Sequence, residues 1–399
     1  MSSTAPDFNQ LTPAAMGPDP ERGVLVHARC WVEVDLKALR HNARVAAGLA
    51  GHPVMAVVKA NGYGHGAIEV ARALQAQPAV AGFGVACLAE ALALRQSGVS
   101  EPLFVLGACL PEERADAVAA GFNVILSDLT EAAAFSRLAV SQGRQVPCHL
   151  AIDTGMGRLG LLESAWNEDW MRQLLALPNL DLVGFASHLP SADEDAEFTL
   201  GQAGRFRVLA ARARELAPAV SQIHLSNSAG IMTLGPDLAD FCTLSRVGLM
   251  LYGIAPVAAN ADHLQPALSW NTRVTLVREL PAGHGVSYGR TKITDRPTRV
   301  ATLGVGYGDG YPRHLSGNQA AVLLHGHRCP LLGRVTMDQI MIDVTALPTT
   351  PQPGDQVVLL GCQGEERIDA NELARLAGTI PWEILTGISR RVARIYHSE

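Results

Sequence analysis

The chain has 399 residues, of which 48% are hydrophobic, 5% aromatic and 18% charged, and it carries a net charge of −6. That length allows two domains, or one large barrel with an appended domain. The absence of a basic block excludes an electrostatic footprint for nucleic acid, and no apolar run is long enough to predict a membrane-spanning helix.

Residues 1–26 are proline-rich without an apolar run, so they read as a disordered tail and not as a signal peptide. From Trp31 the stretch WVEVDLKALRHN passes from alternation to helical spacing, a strand and then a helix. Apolar strands then alternate with amphipathic helices. The strands are predicted at Val54–Val58, Gly82–Ala86, Leu103–Gly107, Asn123–Ser127, Cys148–Asp153, Leu182–Ala186, Gln222–Ser226 and Cys242–Val247. Helices are predicted between most of them, for example Ala67–Gln77, Leu88–Ser97, Glu112–Ala120, Glu131–Gln142, Ala165–Leu177 and Thr199–Leu216. Eight strands with helical crossovers predict an α/β fold, a closed (β/α)8 TIM-type barrel spanning residues 27–264. An open doubly wound sheet is the alternative, but no GxGxxG opens a helix after a strand. Residues 265–399 read as a mostly-β C-terminal domain: TRVTLVREL, TRVATLGVGYG, QAAVLLHGHRCPLLG, MDQIMIDVTAL and DQVVLLG are strand-like between Gly, Pro and Asp turns. Only Asp369–Leu376 looks helical there.

The polar residues fall at one end of the barrel strands. Val54–Val58 is a buried run that ends in Lys59, followed by a loop with Gly62, Tyr63, Gly64, His65 and Gly66. A lysine capping a buried strand is costly unless its charge is used or its pKa is lowered. A desolvated amine suits covalent attachment to an aldehyde cofactor. DTGMGRLG (Asp153 to Gly160) follows the fifth strand, His188 the sixth and SNSAG (Ser226 to Gly230) the seventh, and SRVGLMLYG (Ser245 to Gly253) closes the eighth. Barrel enzymes place their chemistry at this face, commonly with a phosphate site after strands seven and eight. Ser228 offers a hydroxyl, while Gly230 and Gly248 let backbone amides approach a phosphate. Arg246 is either a surface ion-pair residue or a partner for a pyridine nitrogen, which an arginine would leave unprotonated. His188 is either structural or stacks on the ring and orders Arg246. Arg158 could clamp a carboxylate or a phenolic oxygen, and Asp153 could order its loop.

In the β domain three polar clusters stand out: GVSYGRT (Gly285 to Thr291), GVGYGDGYPR (Gly304 to Arg313) and GRVTMDQ (Gly333 to Gln339). Tyr288 is a turn filler or, if cations lower its pKa, a general acid/base. His325 and His327 lack a third ligand cluster, so no metal is expected. The seven cysteines are scattered with no CxxC pair, which suits reduced thiols in a cytoplasmic protein.

These motifs, AVVKANGYGHG, DTGMGRLG, NSAG, RVGLMLYG, VSYGR, GYGDGYPR and TMDQ, occur in the order found in the alanine racemases, which the sequence resembles from about Trp31 onward. The resemblance implies an N-terminal barrel and a C-terminal β domain that the strand near Trp31 joins. It implies that Lys59 carries pyridoxal 5′-phosphate and that Tyr63, Ser228, Gly248 and Leu249 hold its phosphate. Arg246 would face the pyridine nitrogen with His188 behind it. Arg158 and the backbone of Met337 would bind the carboxylate of a small amino-acid substrate. Tyr288 would be the second base, supplied by the other subunit of a head-to-tail homodimer, with Tyr307 and Asp338 lining the entrance. Lys59 would act on D-alanine and Tyr288 on L-alanine, supplying D-alanine for peptidoglycan. Two positions depart from the family pattern. Many relatives have a lysine, often carbamylated, where this chain has Ala151, and some have a phosphate-binding tyrosine where it has Arg390. Two further enzyme readings are a racemase of broader specificity, for example toward serine, and an amino-acid decarboxylase of the same architecture. VSYGR and GYGDGYPR favour the racemase. A non-catalytic pyridoxal-phosphate carrier would resemble the barrel alone.

Overall fold

The computed structural model describes residues 28–317 and 319–398, so the predicted tail at 1–26 lies outside the described residues. Strand β1 (Cys30–Asp35) leads into helix α1 (Leu36–Ala50). The Asp35 side chain caps that helix by accepting the amides of Lys37 and Ala38. The barrel strands follow: β2 (Val54–Val57), β3 (Val80–Val85), β4 (Leu103–Val105), β5 (Asn123–Leu126), β6 (Val146–Asp153), β7 (Leu180–Ala186), β8 (Gln222–His224) and β9 (Ser245–Val247). Neighbours pair in parallel in the order β9-β2-β3-β4-β5-β6-β7-β8, and a parallel bridge from His224 to Leu244 closes the ring. Met55, Phe104 and Leu244 form a small cluster apart from the main core. They come from segments that are not all neighbours in the sheet, as expected of side chains filling a barrel interior.

The crossover helices are α2 (Ala67–Leu74), α3 (Leu88–Gln96), α4 (Arg114–Ala120), α5 (Leu129–Gln142), α6 (Glu168–Leu175), α7 (Ala196–Leu216) and α8 (Ser228–Leu238). They bury apolar faces such as Val70, Ala71 and Leu74 on α2 against the strands. Asp128, Asn167 and Asp195 cap three of them. Helix α8 corrects the sequence reading, which treats Ser226–Gly230 as loop. Asn227 caps it through the amide of Gly230, and Pro236 near its end obscures the helical pattern.

The second unit is built on β10 (Leu268–Leu280), β11 (Thr298–Leu303), β12 (Ala321–Leu324), β13 (His327–Leu332), β14 (Ile340–Asp343) and β15 (Gln356–Gln363). These strands run β15-β12-β13-β14-β11-β10, and β15 pairs again with β10, so the sheet returns on itself. His325 and Gly326, both at positive φ, make the two-residue turn between β12 and β13. Helix α9 (Ala370–Ala377) matches the helical stretch expected there, but α10 (Pro381–Thr386) was not expected. Its signals are a proline at the first helical position and Gly387 after its end. Strand β1 pairs antiparallel with β10 and parallel with the last strand, β16 (Ala393–His397). The segment before the barrel therefore lies in the sheet of the β unit. No helix among the described residues is long and apolar enough to cross a membrane.

Gly64 marks where the two units meet. Its φ is +82°, and a Cβ there would lie 2.2 Å from the carbonyl oxygen of Leu385 on α10. A Gly64→Ala protein is expected to lose about 2–4 kcal/mol of stability, because both the dihedral and the backbone contact oppose a methyl group. A denaturant melt checks it.

Candidate active site

Strand β2 delivers Lys59 to a cavity of about 710 Å³ at the C-terminal mouth of the barrel. The chain then turns through five consecutive positive φ values: Ala60 52°, Asn61 55°, Gly62 62°, Tyr63 52° and Gly64 82°. One turn of left-handed helix costs an L-residue chain about 1–2 kcal/mol per residue. Local bonds hold it: the Gly62 amide donates to Val58, the Gly64 amide to Ala60 and the Gly66 amide to Asn61. The Glu90 carboxylate accepts the amides of Ala60 and Ala86, tying this turn to the next loop. Below it, Tyr63 stacks on Tyr252 at 4.9 Å and His65 packs on the same ring at 4.4 Å. The glycine-rich loop of the sequence reading is thus a braced turn that aims one side chain.

Burial pushes the Lys59 amine below its ordinary pKa, the charges of Arg158 and Arg246 add to that shift, and Glu90 opposes it. Arg246 is buried in the middle of β9 and lines the cavity. Its two terminal nitrogens donate to Ser187 O at 2.6 Å, Leu225 O at 2.8 Å, His224 O at 3.2 Å and His188 Nδ1 at 2.9 Å, and also contact His224 Nδ1. Among the described residues its hydrogen bonds all leave from those two atoms, so Nε remains for the cavity. Burial lowers its pKa to about 10, which leaves it a cation at neutral pH. His188 is held well below the usual histidine range by burial and then by the charges of Arg246, Arg158 and Lys59, so it is neutral.

Ser228 opens α8, and its hydroxyl accepts the amides of Gly248 at 3.0 Å and Met250 at 3.2 Å. A Cβ at Gly248 would lie 2.6 Å from the Tyr63 hydroxyl, so only glycine fits between tyrosine and helix. Tyr63, Ser228, Gly248 and Leu249 all line the cavity. Together they form an anion cradle: a helix N-terminus, a hydroxyl and a glycine backbone. Arg158 also lines the cavity, from a turn that Asp153 ties by accepting the amides of Gly155, Met156 and Gly157. Burial alone would raise the pKa of Asp153; those amides outweigh it and hold it low. Ala151 contributes to the wall, whereas Arg390 is exposed and is not among the lining residues.

Tyr288, Tyr307, Met337 and Asp338 do not line this cavity. They are gathered elsewhere. The amides of Tyr307 and Gly308 donate to the carbonyls of Thr336 and Met337. Ser287 Oγ donates to Arg334 O, and Arg391 bridges Asp309 and Asp338. The three polar clusters of the β unit thus form one patch, with Tyr288 71% and Met337 53% exposed. Sequence reasoning missed Ser187, His224, Trp382 and Thr386 in the cavity lining and His149 outside it. The available signal was a histidine within each of two otherwise apolar strands. Among the described residues no group of three or more His, Cys, Asp or Glu could hold a metal.

His65 gives a test of this packing. Burial lowers its pKa to about 4 against an ordinary 6.5. Between those values the unfolded chain binds the proton that the folded chain refuses, so stability falls as pH drops through the interval and levels off below it. The melting temperature is expected to fall across that interval, and a His65→Phe protein should show a shallower fall there.

Residues 34–256 match the family described as alanine racemase, N-terminal domain, and residues 267–396 the one described as alanine racemase, C-terminal domain. The chain is 45% identical to the alanine racemase of Symbiobacterium thermophilum over 376 residues, covering 92% of this chain and 97% of that protein. It is 40% identical to the alanine racemase of Methylacidiphilum infernorum, covering 93% of each. Among solved structures, the alanine racemase of Streptomyces coelicolor superposes with a TM-score of 0.86 at 33% identity, covering 94% of this chain and 99% of that one. The alanine racemase of Bacillus anthracis with bound L-Ala-P gives 0.83 at 33% identity, covering 93% and 95%. Both units therefore match, and the chain belongs to the alanine racemase family.

Proposed function

We propose that the protein interconverts L-alanine and D-alanine with pyridoxal 5′-phosphate held at Lys59, in sites that two copies of the chain build together. The observation that carries this reading is the Lys59 amine, its pKa lowered, in a cavity that also holds a buried Arg246 and an anion cradle. The cradle fits the phosphate, the amine fits the aldehyde, and Arg246 Nε fits an unprotonated ring nitrogen. When bound, the cofactor supplies an electron sink that acidifies the substrate's α-hydrogen.

The residues do the rest. Ser228, Gly248, Leu249 and Tyr63 anchor the phosphate, and His188 and Arg246 fix the ring. Arg158 draws in the substrate carboxylate, assisted by the backbone of Met337. Lys59 Nζ exchanges the α-proton on one face. The Tyr288 hydroxyl of a second copy exchanges it on the other, with Tyr307 and Asp338 at the entrance. A homodimer is supported because the chain's two polar half-sites lie apart and each lacks the other's base. A cytoplasmic setting is supported by seven free cysteines, and D-alanine for peptidoglycan is the product's use.

L-alanine turnover read with a D-amino-acid oxidase is the direct test. Run in deuterium oxide, it should show α-hydrogen exchange without carbon dioxide release, which separates racemisation from decarboxylation. A panel of amino acids including serine measures substrate breadth, since Ala151 offers no charge to position Arg158. Borohydride trapping and peptide mapping should place the cofactor on Lys59; a label on another lysine would overturn the reading.

A further inference from the structure

We propose that His149, which does not line the cavity, is a positioning residue for Arg246, acting through His224 to fix which imidazole nitrogen faces the guanidinium. The proposal rests on the reading that Arg246 serves the cofactor ring.

A guanidinium has only N–H donors. His224 Nδ1, in contact with Arg246, must therefore present its lone pair. The proton of neutral His224 is then on Nε2, which lies 2.9 Å from His149 Nδ1. His149 accepts there and carries its own proton on Nε2. On the other arm, the 2.9 Å contact to Arg246 puts the proton of His188 on Nε2 as well. Burial, with the charge of Arg246 second, keeps His149 at a pKa of about 3 and His224 well below its ordinary value. The chain His149–His224–Arg246 thus has one positive charge and one proton arrangement.

Two observations show that the barrel is built around this imidazole. His149 pairs in register with Gly184 on β7, where an added Cβ would lie 1.8 Å from His149 Nδ1. The glycine is the notch that admits the ring, and Phe104 meets its edge at 5.4 Å. In addition, His149 Nε2 is buried with no hydrogen-bond partner among the described residues. An unpaired N–H is a cost that an aliphatic side chain would avoid. A histidine here is thus explained by what its other nitrogen does.

Without His149 the His224 Nε2–H loses its acceptor. The opposite tautomer then becomes available, and it would point a second donor at Arg246. The test uses the holoenzyme labelled with nitrogen-15 histidine. Long-range proton–nitrogen spectra should show His224 as a single Nε2–H tautomer. In His149→Leu the His224 signals should shift toward a tautomer mixture, and kcat should fall about tenfold with KM within about twofold. His149→Gln, whose side-chain carbonyl can accept from His224, should restore most of both. An Nδ1–H His224 in the unaltered enzyme, or a His149→Leu protein with unchanged His224 signals and kcat, would overturn the proposal. Unaltered kinetics in Arg246→Gln would instead remove the reading of Arg246, while the tautomer spectra would still decide whether His149 sets His224.

Discussion

A Tyr288→Phe protein is expected to lose racemisation by about 10³-fold while keeping its cofactor, because a positioned acid/base group contributes on that scale. The phenol is 71% exposed on the patch that also carries Tyr307, Met337 and Asp338, so its hydroxyl braces no core. In the proposed roles the substitution removes one proton carrier and leaves Lys59 in place. D-alanine in deuterium oxide should then still exchange its α-hydrogen with retention of configuration, whereas L-alanine should not. The visible absorbance of the cofactor and the oxidase-coupled rate are the two measurements. Full racemase activity in this variant would remove the assignment.

Lys59→Ala should abolish turnover to a similar or greater degree, since in the proposed reading the same amine anchors the cofactor and moves the proton. The pair of variants gives a sharper result when mixed. If each site takes Lys59 from one copy and Tyr288 from the other, random exchange makes half the dimers mixed. Each mixed dimer then has one site with both residues intact. About a quarter of the sites should recover activity. If both residues came from the same copy, mixing would restore nothing, so the experiment reads the sharing of the site directly.

Much of this arrangement was legible in the chain because the barrel places chemistry at strand ends. Lys59, Arg158, His188 and Ser228 each follow a strand that its apolar run announces, Arg246 lies within the last short strand, and the closed ring brings them to one cavity. What was not legible arises from side chains within strands. His149 and His224 sit in apolar runs, and only the pairing of β6, β7 and β8 shows that they meet. Short elements were missed for a different reason: α10 has six residues, too few for a period to register. The left-handed turn after Lys59 was visible as glycines, but Ala60, Asn61 and Tyr63 adopt it as well. That conformation is imposed by surrounding packing and not by local preference. The gathering of Tyr288, Tyr307, Met337 and Asp338 depends on loop-to-loop backbone bonds that no local pattern encodes.

Strand β16 carries a consequence for the order in which the molecule comes together. It lies beside β1, and its Arg394 donates to the carbonyl of Gly64, at the end of the turn that aims Lys59. Tyr396 on the same strand lies so close to Gly66 that a methyl group there would overlap its hydroxyl. During synthesis Lys59 emerges long before Arg394 and Tyr396. The turn therefore forms first on its local bonds and its tie to Glu90, and gains this second support from β16 only later.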